Sequence, residues 1–265
     1  MYPTLLHIYG PLAIHSYGVM IAIGVCVFTF CVMNDRRRKK LLNEDQFVSL
    51  LIRGIVAATI GGKLLFVLMN SDTIIHPFEL IQFWHGGFSI LGSIIAVILV
   101  IPFYVRRFKI ALTPFLDLIA LYAPLLQSIA RLGCLFAGCC FGKPTNSIFS
   151  IAVADDFGNL ILRHPTQLYS SAALLLIFLM LFFVIQHRTK KNGQLALWYL
   201  FLATTERGLI DIFRSEQQFG TSFPLSWLSV NQLIAFIIGA VAGALLLITY
   251  FFDRKQQRYE SIQFH

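Results

Sequence analysis

The segment Thr204-Thr-Glu-Arg-Gly-Leu-Ile-Asp-Ile-Phe-Arg214 places Arg207, Asp211 and Arg214 at positions i, i+4 and i+7, which share one face of a helix. Two cations flank one carboxylate on that face. Either the group is an ion pair that ties helices together, leaving one positive charge unexplained, or the surplus cation holds an anion. Arginine supplies a planar, bidentate fork suited to phosphate. A second segment, Ser128-Ile-Ala-Arg-Leu-Gly-Cys-Leu-Phe-Ala-Gly-Cys-Cys-Phe-Gly142, sets Arg131 beside Gly133, Gly138 and Gly142. Such glycines let backbone come close, either to an anion held by N–H groups or to a neighbouring helix.

The same segment carries Cys134, Cys139 and Cys140, three of the five cysteines of the chain. With His164 they offer sulfur and nitrogen for a metal or redox site, but C-x4-C-C lacks the two separated ligand pairs of structural zinc sites. Small residues packed among glycines are the expectation. A disulfide to another outer cysteine stays open, although the adjacent pair is poorly placed for one. Arg163-His-Pro-Thr-Gln-Leu-Tyr169 puts His164 just ahead of a helix start at Pro165, as a proton carrier or as an interfacial cap. His15-Ser-Tyr17 poses the same choice between site and interfacial anchor. Gly61-Gly62 before Lys63, and Gly86-Gly87 before Phe88-Ser89, repeat the glycine theme.

These residues must be positioned by membrane helices. Of 265 residues, 57% are hydrophobic and 13% charged, and the mean hydropathy is +0.73, which excludes a water-soluble globule. The apolar runs predict an all-α polytopic membrane protein with seven transmembrane helices, at 12–34, 46–69, 88–105, 112–132, 167–186, 194–214 and 229–252. Little chain is left between them, so a single integral-membrane domain over 1–265 is expected, with a short outer-face segment at 143–166. The amino-terminal sequence has no basic region ahead of a short apolar core, so the first span is expected to direct insertion.

A net charge of +8 would point to nucleic acid in a soluble protein. Here fourteen of the 21 Lys and Arg follow the odd-numbered spans, in clusters at Arg36–Lys40, Arg106–Lys109, Arg188–Lys191 and Arg254–Arg258. That asymmetry predicts the amino terminus outside and the carboxyl terminus cytoplasmic, with no nucleic-acid partner. Arg53, Lys63, Arg131, Lys143, Arg163, Arg207 and Arg214 lie within spans or toward the outer face instead. A cation within the bilayer costs several kcal/mol unless it snorkels, pairs or faces a polar cavity. For Arg53, near a cytoplasmic end, snorkelling is the expectation.

Taken in order, His15-Ser-Tyr-Gly-Val-Met, Gly61-Gly-Lys, Trp84-His-Gly-Gly-Phe-Ser-Ile-Leu-Gly92, Ala130-Arg-Leu-Gly133 through Gly142, Arg163-His-Pro-Thr-Gln-Leu-Tyr, and Glu206-Arg through Asp211 to Arg214 resemble the phosphatidylglycerol:prolipoprotein diacylglyceryl transferase family of bacterial inner membranes. The resemblance spans almost the whole chain. It implies transfer of the diacylglyceryl group of phosphatidylglycerol to the lipobox cysteine thiol of a prolipoprotein, at its signal-peptide region, with release of glycerol phosphate. Such a reaction needs a thiolate, a base to make it, and cations for the phosphate leaving group. The resemblance assigns Arg131 and Arg207 to the essential arginines, Asp211 to the paired acid, Tyr17 to the tyrosine near the site and Gly142 to the final glycine. Lys63, Arg214, Gly86 and Gly87 are further candidates for substrate binding. No metal and no diffusible cofactor are implied.

Four positions depart from the family pattern. Its third-span histidine is Leu91 here, with His85 six residues earlier; its asparagine is Cys134, its acid Cys139, and an arginine is Lys63. The base is therefore sought at His85 or His164. Two alternatives stand beside the transferase: a divergent member with a different acceptor, and a non-catalytic protein that binds anionic membrane lipid in the same cationic site. A cysteine-based redox or metal protein is a third.

Overall fold

Among the described residues, six helices are long and apolar enough to cross a membrane: Ser16–Asn34, Glu44–Met69, Ile90–Arg107, Leu112–Phe136, Thr166–Arg188 and Gln232–Phe252. They belong to a computed structural model that describes residues 4–9, 12–69, 88–154, 159–214 and 230–263. The elements run in the order β1 (Thr4–Tyr9), β2 (Leu12–His15), α1 (Ser16–Asn34), α2 (Arg36–Leu41), α3 (Glu44–Met69), α4 (Ile90–Arg107), α5 (Leu112–Phe136), β3 (Ile151–Ala154), β4 (Leu160–Arg163), α6 (Thr166–Arg188), α7 (Gln194–Ile212) and α8 (Val230–Gln263). A π-helical stretch at Leu181–Ile185 lies inside α6. A polytopic membrane protein is thus what the chain forms.

Each of the seven apolar runs contains a helix, with differences at the ends. The first helix starts at Ser16 rather than residue 12, because Leu12–His15 pairs with β1. The fourth continues to Phe136, so Arg131 and Gly133 sit inside it rather than at its exit. The sixth, α7, falls short of the length-and-apolarity standard for a span, since it carries Glu206, Arg207 and Asp211 in its second half. Within the segment expected to be a short outer loop, β3 and β4 form an antiparallel hairpin, with Ile151 opposite Arg163 and Ala154 opposite Leu160. Four-residue strands carry too little pattern to stand out against apolar spans.

Residue contacts divide the chain into two compact units: His15–Phe30 with Ile119–His265, and Thr4–Ile14 with Cys31–Leu118. In the second unit α3 and α4 run against each other through glycines. A Cβ on Gly61 would strike the Ala96 Cβ and stand 2.6 Å from the Gly92 carbonyl oxygen, and one on Gly92 would strike the Gly61 carbonyl. Lipid tails are as apolar as leucine, so membrane helices associate through such close contact rather than through the hydrophobic effect. Ser93 Oγ donates to the Ala58 carbonyl at 2.7 Å across the same seam. Ser89 caps α4, its Oγ accepting from the Gly92 N–H.

This unit also accommodates two of the intramembrane cations. The Arg53 guanidinium carbon lies 4.5 Å from the Tyr104 ring centroid and 5.4 Å from that of Phe108. A cation over an aromatic face is stabilised by about 0.5–2 kcal/mol. Lys63 is 5% exposed, with its Nζ 5.9 Å and 5.8 Å from the Phe66 and Phe88 ring centroids.

In the first unit polar side chains join the helices. Ser128 Oγ on α5 donates to the Ser171 carbonyl at 2.8 Å, and Ser171 Oγ on α6 donates back to the Ser128 carbonyl at 3.0 Å. Gln127 Nε2 donates to the Tyr199 hydroxyl at 2.8 Å, linking α5 to α7. Such interhelical bonds contribute about 0.6 kcal/mol each in a membrane, so their main effect is to fix which faces meet.

Candidate active site

The helical spacing of Arg207 and Asp211 gives the ion pair that it predicts. Arg207 Nη2 lies 3.4 Å from Asp211 Oδ1, the carboxylate side chain being 5% exposed and the guanidinium side chain 29%. Beside them on α7, Glu206 is buried and accepts a hydrogen bond from Ser170 Oγ of α6 at 2.5 Å. Arg131 on α5 acts electrostatically on both Glu206 and Arg207, and the charge of Arg214 also reaches Arg207. The Arg214 N–H donates to the Asp211 carbonyl at 3.1 Å, closing the end of α7. Arg207 thus pairs with Asp211, Arg131 and Arg207 act on Glu206, and Arg214 acts on Arg207, so three guanidiniums and two carboxylates share surroundings where Coulomb forces are poorly screened.

Below this group the chain folds back over the end of α5. Gly142 is held between its neighbours: its N–H donates to the His164 carbonyl at 2.8 Å, and a Cβ there would lie 2.5 Å from the Phe213 carbonyl oxygen and 2.8 Å from Thr166 Cγ2. No side chain fits that position without moving backbone. Lys143 N–H donates to the Phe213 carbonyl at 2.8 Å, and His164 N–H to the Lys143 carbonyl at 3.1 Å. The His164 ring stands edge-on to Phe213, centroids 5.3 Å apart, with its Nδ1 3.3 Å from the Tyr169 hydroxyl. These contacts tie the loop after α5 to the ends of α6 and α7.

Cys134, Cys139 and Cys140 meet at this turn, their sulfurs all within 4.8 Å of one another. Hydrogen bonds to Cys134 and Cys139 hold the Cys140 thiol below the ordinary thiol range, with Arg214 and Arg131 adding to the effect. The bonds with Cys134 and Cys140 push the Cys139 thiol up. Tyr17 is within electrostatic reach of all three cysteines and of Arg131. Gly133 brings its helix against α1, where a Cβ would stand 2.9 Å from Met20 Cβ and 3.3 Å from Tyr17 Cδ2.

Of the candidates named from the sequence, Arg131, Arg207, Asp211, Arg214, Tyr17, Gly142 and His164 lie in this one unit, interlocked as described. Lys63 belongs to the other unit, on the α3–α4 seam. His85, Gly86 and Gly87 lie outside the described residues. Leu91 is on α4, 54% exposed. Sequence reasoning passed over Ser170 and gave Glu206 and Gln167 no role beyond their place in the motifs. A carboxylate inside an apolar helix is itself a signal for Glu206, whereas the two α6 residues have only their place after Pro165 to suggest them.

The fold and this cluster define a polytopic membrane protein with a cluster of arginines and buried carboxylates on α5 and α7 and just beyond α7. The sequence model of the family described as prolipoprotein diacylglyceryl transferase matches residues 3–249, and the chain belongs to that family. It is similar to proteins named phosphatidylglycerol--prolipoprotein diacylglyceryl transferase from several bacteria. The one from Clostridium tetani is 31% identical over 243 residues, 90% of this chain and 95% of the relative. The one from Marinomonas sp. is 28% identical, covering 90% and 89%, and that of Thermotoga maritima 30% identical, covering 77% and 72%.

Proposed function

We propose that this protein transfers the diacylglyceryl group of phosphatidylglycerol to the cysteine thiol in the signal-peptide region of a prolipoprotein, in the bacterial cytoplasmic membrane. The observation that carries the reading is the surplus positive charge of Arg131, Arg207 and Arg214 over Glu206 and Asp211, in a chain whose relatives bear that activity in their names. The acceptor thiolate attacks the glyceryl carbon; a C–S bond forms as the C–O bond to phosphate breaks. The electron pair remains on the phosphate oxygen, and glycerol phosphate leaves. Charge thus gathers on the phosphate in the transition state, where arginine forks stabilise it. Asp211 fixes the Arg207 fork through the 3.4 Å ion pair, and Ser170 fixes Glu206.

The topology that suits this chemistry has seven spans, with α7 crossing among its neighbours and its charged half toward the outer side. The amino terminus is then outside and the basic clusters inside. Tyr17, His164 and the hairpin of β3 and β4 lie at the outer interface, where an exported acceptor arrives. A second reading, a family member serving a different acceptor, is favoured by Leu91, an apolar side chain 54% exposed at the position of the family's histidine.

The experiment is to incubate purified protein in vesicles with phosphatidylglycerol labelled in its acyl chains and a peptide containing a lipobox cysteine. Label is expected on that peptide, and not on one whose cysteine is serine. Bound lipid with no label on the peptide would point to a different acceptor or to lipid binding alone.

A further inference from the structure

The last turn of α5 and the turn after it hold three thiols whose arrangement packing does not explain. Cys134 is buried, but Cys139 and Cys140 are exposed, so filling space among glycines does not account for them. Cys140 moreover adopts φ 67°, a left-handed conformation that costs a residue with a Cβ about 1–2 kcal/mol. Glycine or asparagine would take that place with less strain. Gly138 at φ 73° makes the companion bend, and together they fold C-x4-C-C back on itself. Cys139 N–H then donates to the Cys134 carbonyl at 3.1 Å.

The backbone of the two exposed cysteines is pinned from α6. Thr166 Oγ1 donates to the Cys140 carbonyl at 2.7 Å, and Gln167 Nε2 donates to the Cys139 carbonyl. Gln167 is 1% exposed, and its Oε1 is buried without a hydrogen-bond partner. These bonds fix the backbone that carries the two exposed sulfurs, so the sulfurs are positioned from α6. The Cys139 and Cys140 sulfurs are 3.3 Å apart, and all three lie within 4.8 Å. A tetrahedral zinc centre with bonds of about 2.3 Å needs sulfurs about 3.8 Å apart, which lies between those values. Three thiolates on a divalent ion leave one negative charge, and Cys140 lies within electrostatic reach of Arg214 and Arg131.

We propose that Cys134, Cys139 and Cys140 bind a thiophilic divalent cation of the zinc class, with its fourth position open to the thiol of the incoming acceptor. The second half of this inference rests on the transferase reading above; the metal site itself does not. Three protein ligands with one open position are the arrangement of catalytic rather than structural zinc. An acceptor thiol entering that position gives up its proton to water and is held as thiolate. Its sulfur then attacks the glyceryl carbon, the C–O bond to phosphate breaks with its electron pair on oxygen, and the thioether leaves the metal as a neutral, weaker ligand.

The test uses the full chain, purified without chelator and supplied with Zn2+, followed by elemental analysis. About one zinc per chain is expected, lost in Cys140→Ser and in Cys139→Ser, whose exposed positions spare the buried packing around Cys134. Replacement by Co2+ should give the sulfur-to-cobalt absorption of a thiolate site, absent from the variants. A chain that retains no zinc, keeps it equally after both substitutions, or shows an internal disulfide in place of three titratable thiols overturns the site.

The role at the acceptor is read from pH. A free thiol with pKa about 8.5 is only a few per cent ionised at pH 7, so the metal-free protein should transfer at least tenfold more slowly there, with the deficit narrowing as pH passes 8.5. A deficit that stays constant with pH would overturn acceptor activation while leaving the metal site standing. Zinc bound stoichiometrically with no lipid transferred at any pH would count against the transferase reading instead.

Discussion

The two units of the chain place cations in apolar surroundings in different ways. On the α3–α4 side, Arg53 rests on the rings of Tyr104 and Phe108, and Lys63 lies near Phe66 and Phe88. There the helices meet through Gly61 and Gly92. Around α5, α6 and α7, Arg131, Arg207 and Arg214 face carboxylates and thiols, and the helices meet through serines and glutamines. Aromatic faces give a cation a modest stabilisation through the ring quadrupole. Carboxylates outnumbered by guanidiniums orient their partners and leave net positive charge. The first arrangement suits a structural cation, and the second suits a phosphate site.

The contrast can be broken most severely at Arg131. Replacing it with alanine removes a charge from the surplus and is expected to lower diacylglyceryl transfer by about 10²–10³-fold, the usual loss for one group stabilising transition-state charge. Lysine should recover little of this, because a point charge lacks the planar fork. Gly142→Val comes next. Its side chain would collide with the Phe213 carbonyl and Thr166, so transfer should fall by more than about tenfold, with a lowered melting temperature in detergent.

Asp211→Asn sharpens the comparison. It leaves Arg207 without the carboxylate at 3.4 Å, and breaking a buried pair from one side costs about 3–5 kcal/mol where the survivor stays buried. Arg207 is partly exposed, so a smaller loss is expected, seen as a lower melting temperature and a raised KM for lipid. Gly61→Leu strikes the other unit. It forces α3 from α4, so its principal effect should be on stability and yield of folded protein rather than on the chemistry of the molecules that remain folded. Arg53→Met should matter least, lowering stability by at most about 2 kcal/mol and transfer by less than about twofold.

Much of this was legible because the bilayer imposes a simple rule. A span needs about 20 apolar residues, and charged residues interrupt that pattern visibly, so the helices and the odd cations could be read directly. Arg207 and Asp211 could be paired because i, i+4 spacing on a helix determines proximity. Glu206 with Ser170 could not, because their hydrogen bond joins residues 36 positions apart on different helices. The meeting of the three cysteines was equally hidden: it depends on the left-handed turns at Gly138 and Cys140, which C-x4-C-C does not announce. The contacts of Arg53 with Tyr104 and Phe108 were hidden too, because those rings approach it from another helix and the turn beyond.

The most direct measurement sets the two kinds of cation side by side: Arg131→Met and Arg53→Met, each reconstituted in vesicles of labelled phosphatidylglycerol, with glycerol phosphate release and peptide labelling followed together. The account predicts that the α5 substitution removes both signals while the α3 substitution leaves both within about twofold of the unmodified protein. Equal losses from the two, at matched amounts of folded protein, would contradict the division between structural and phosphate-holding cations.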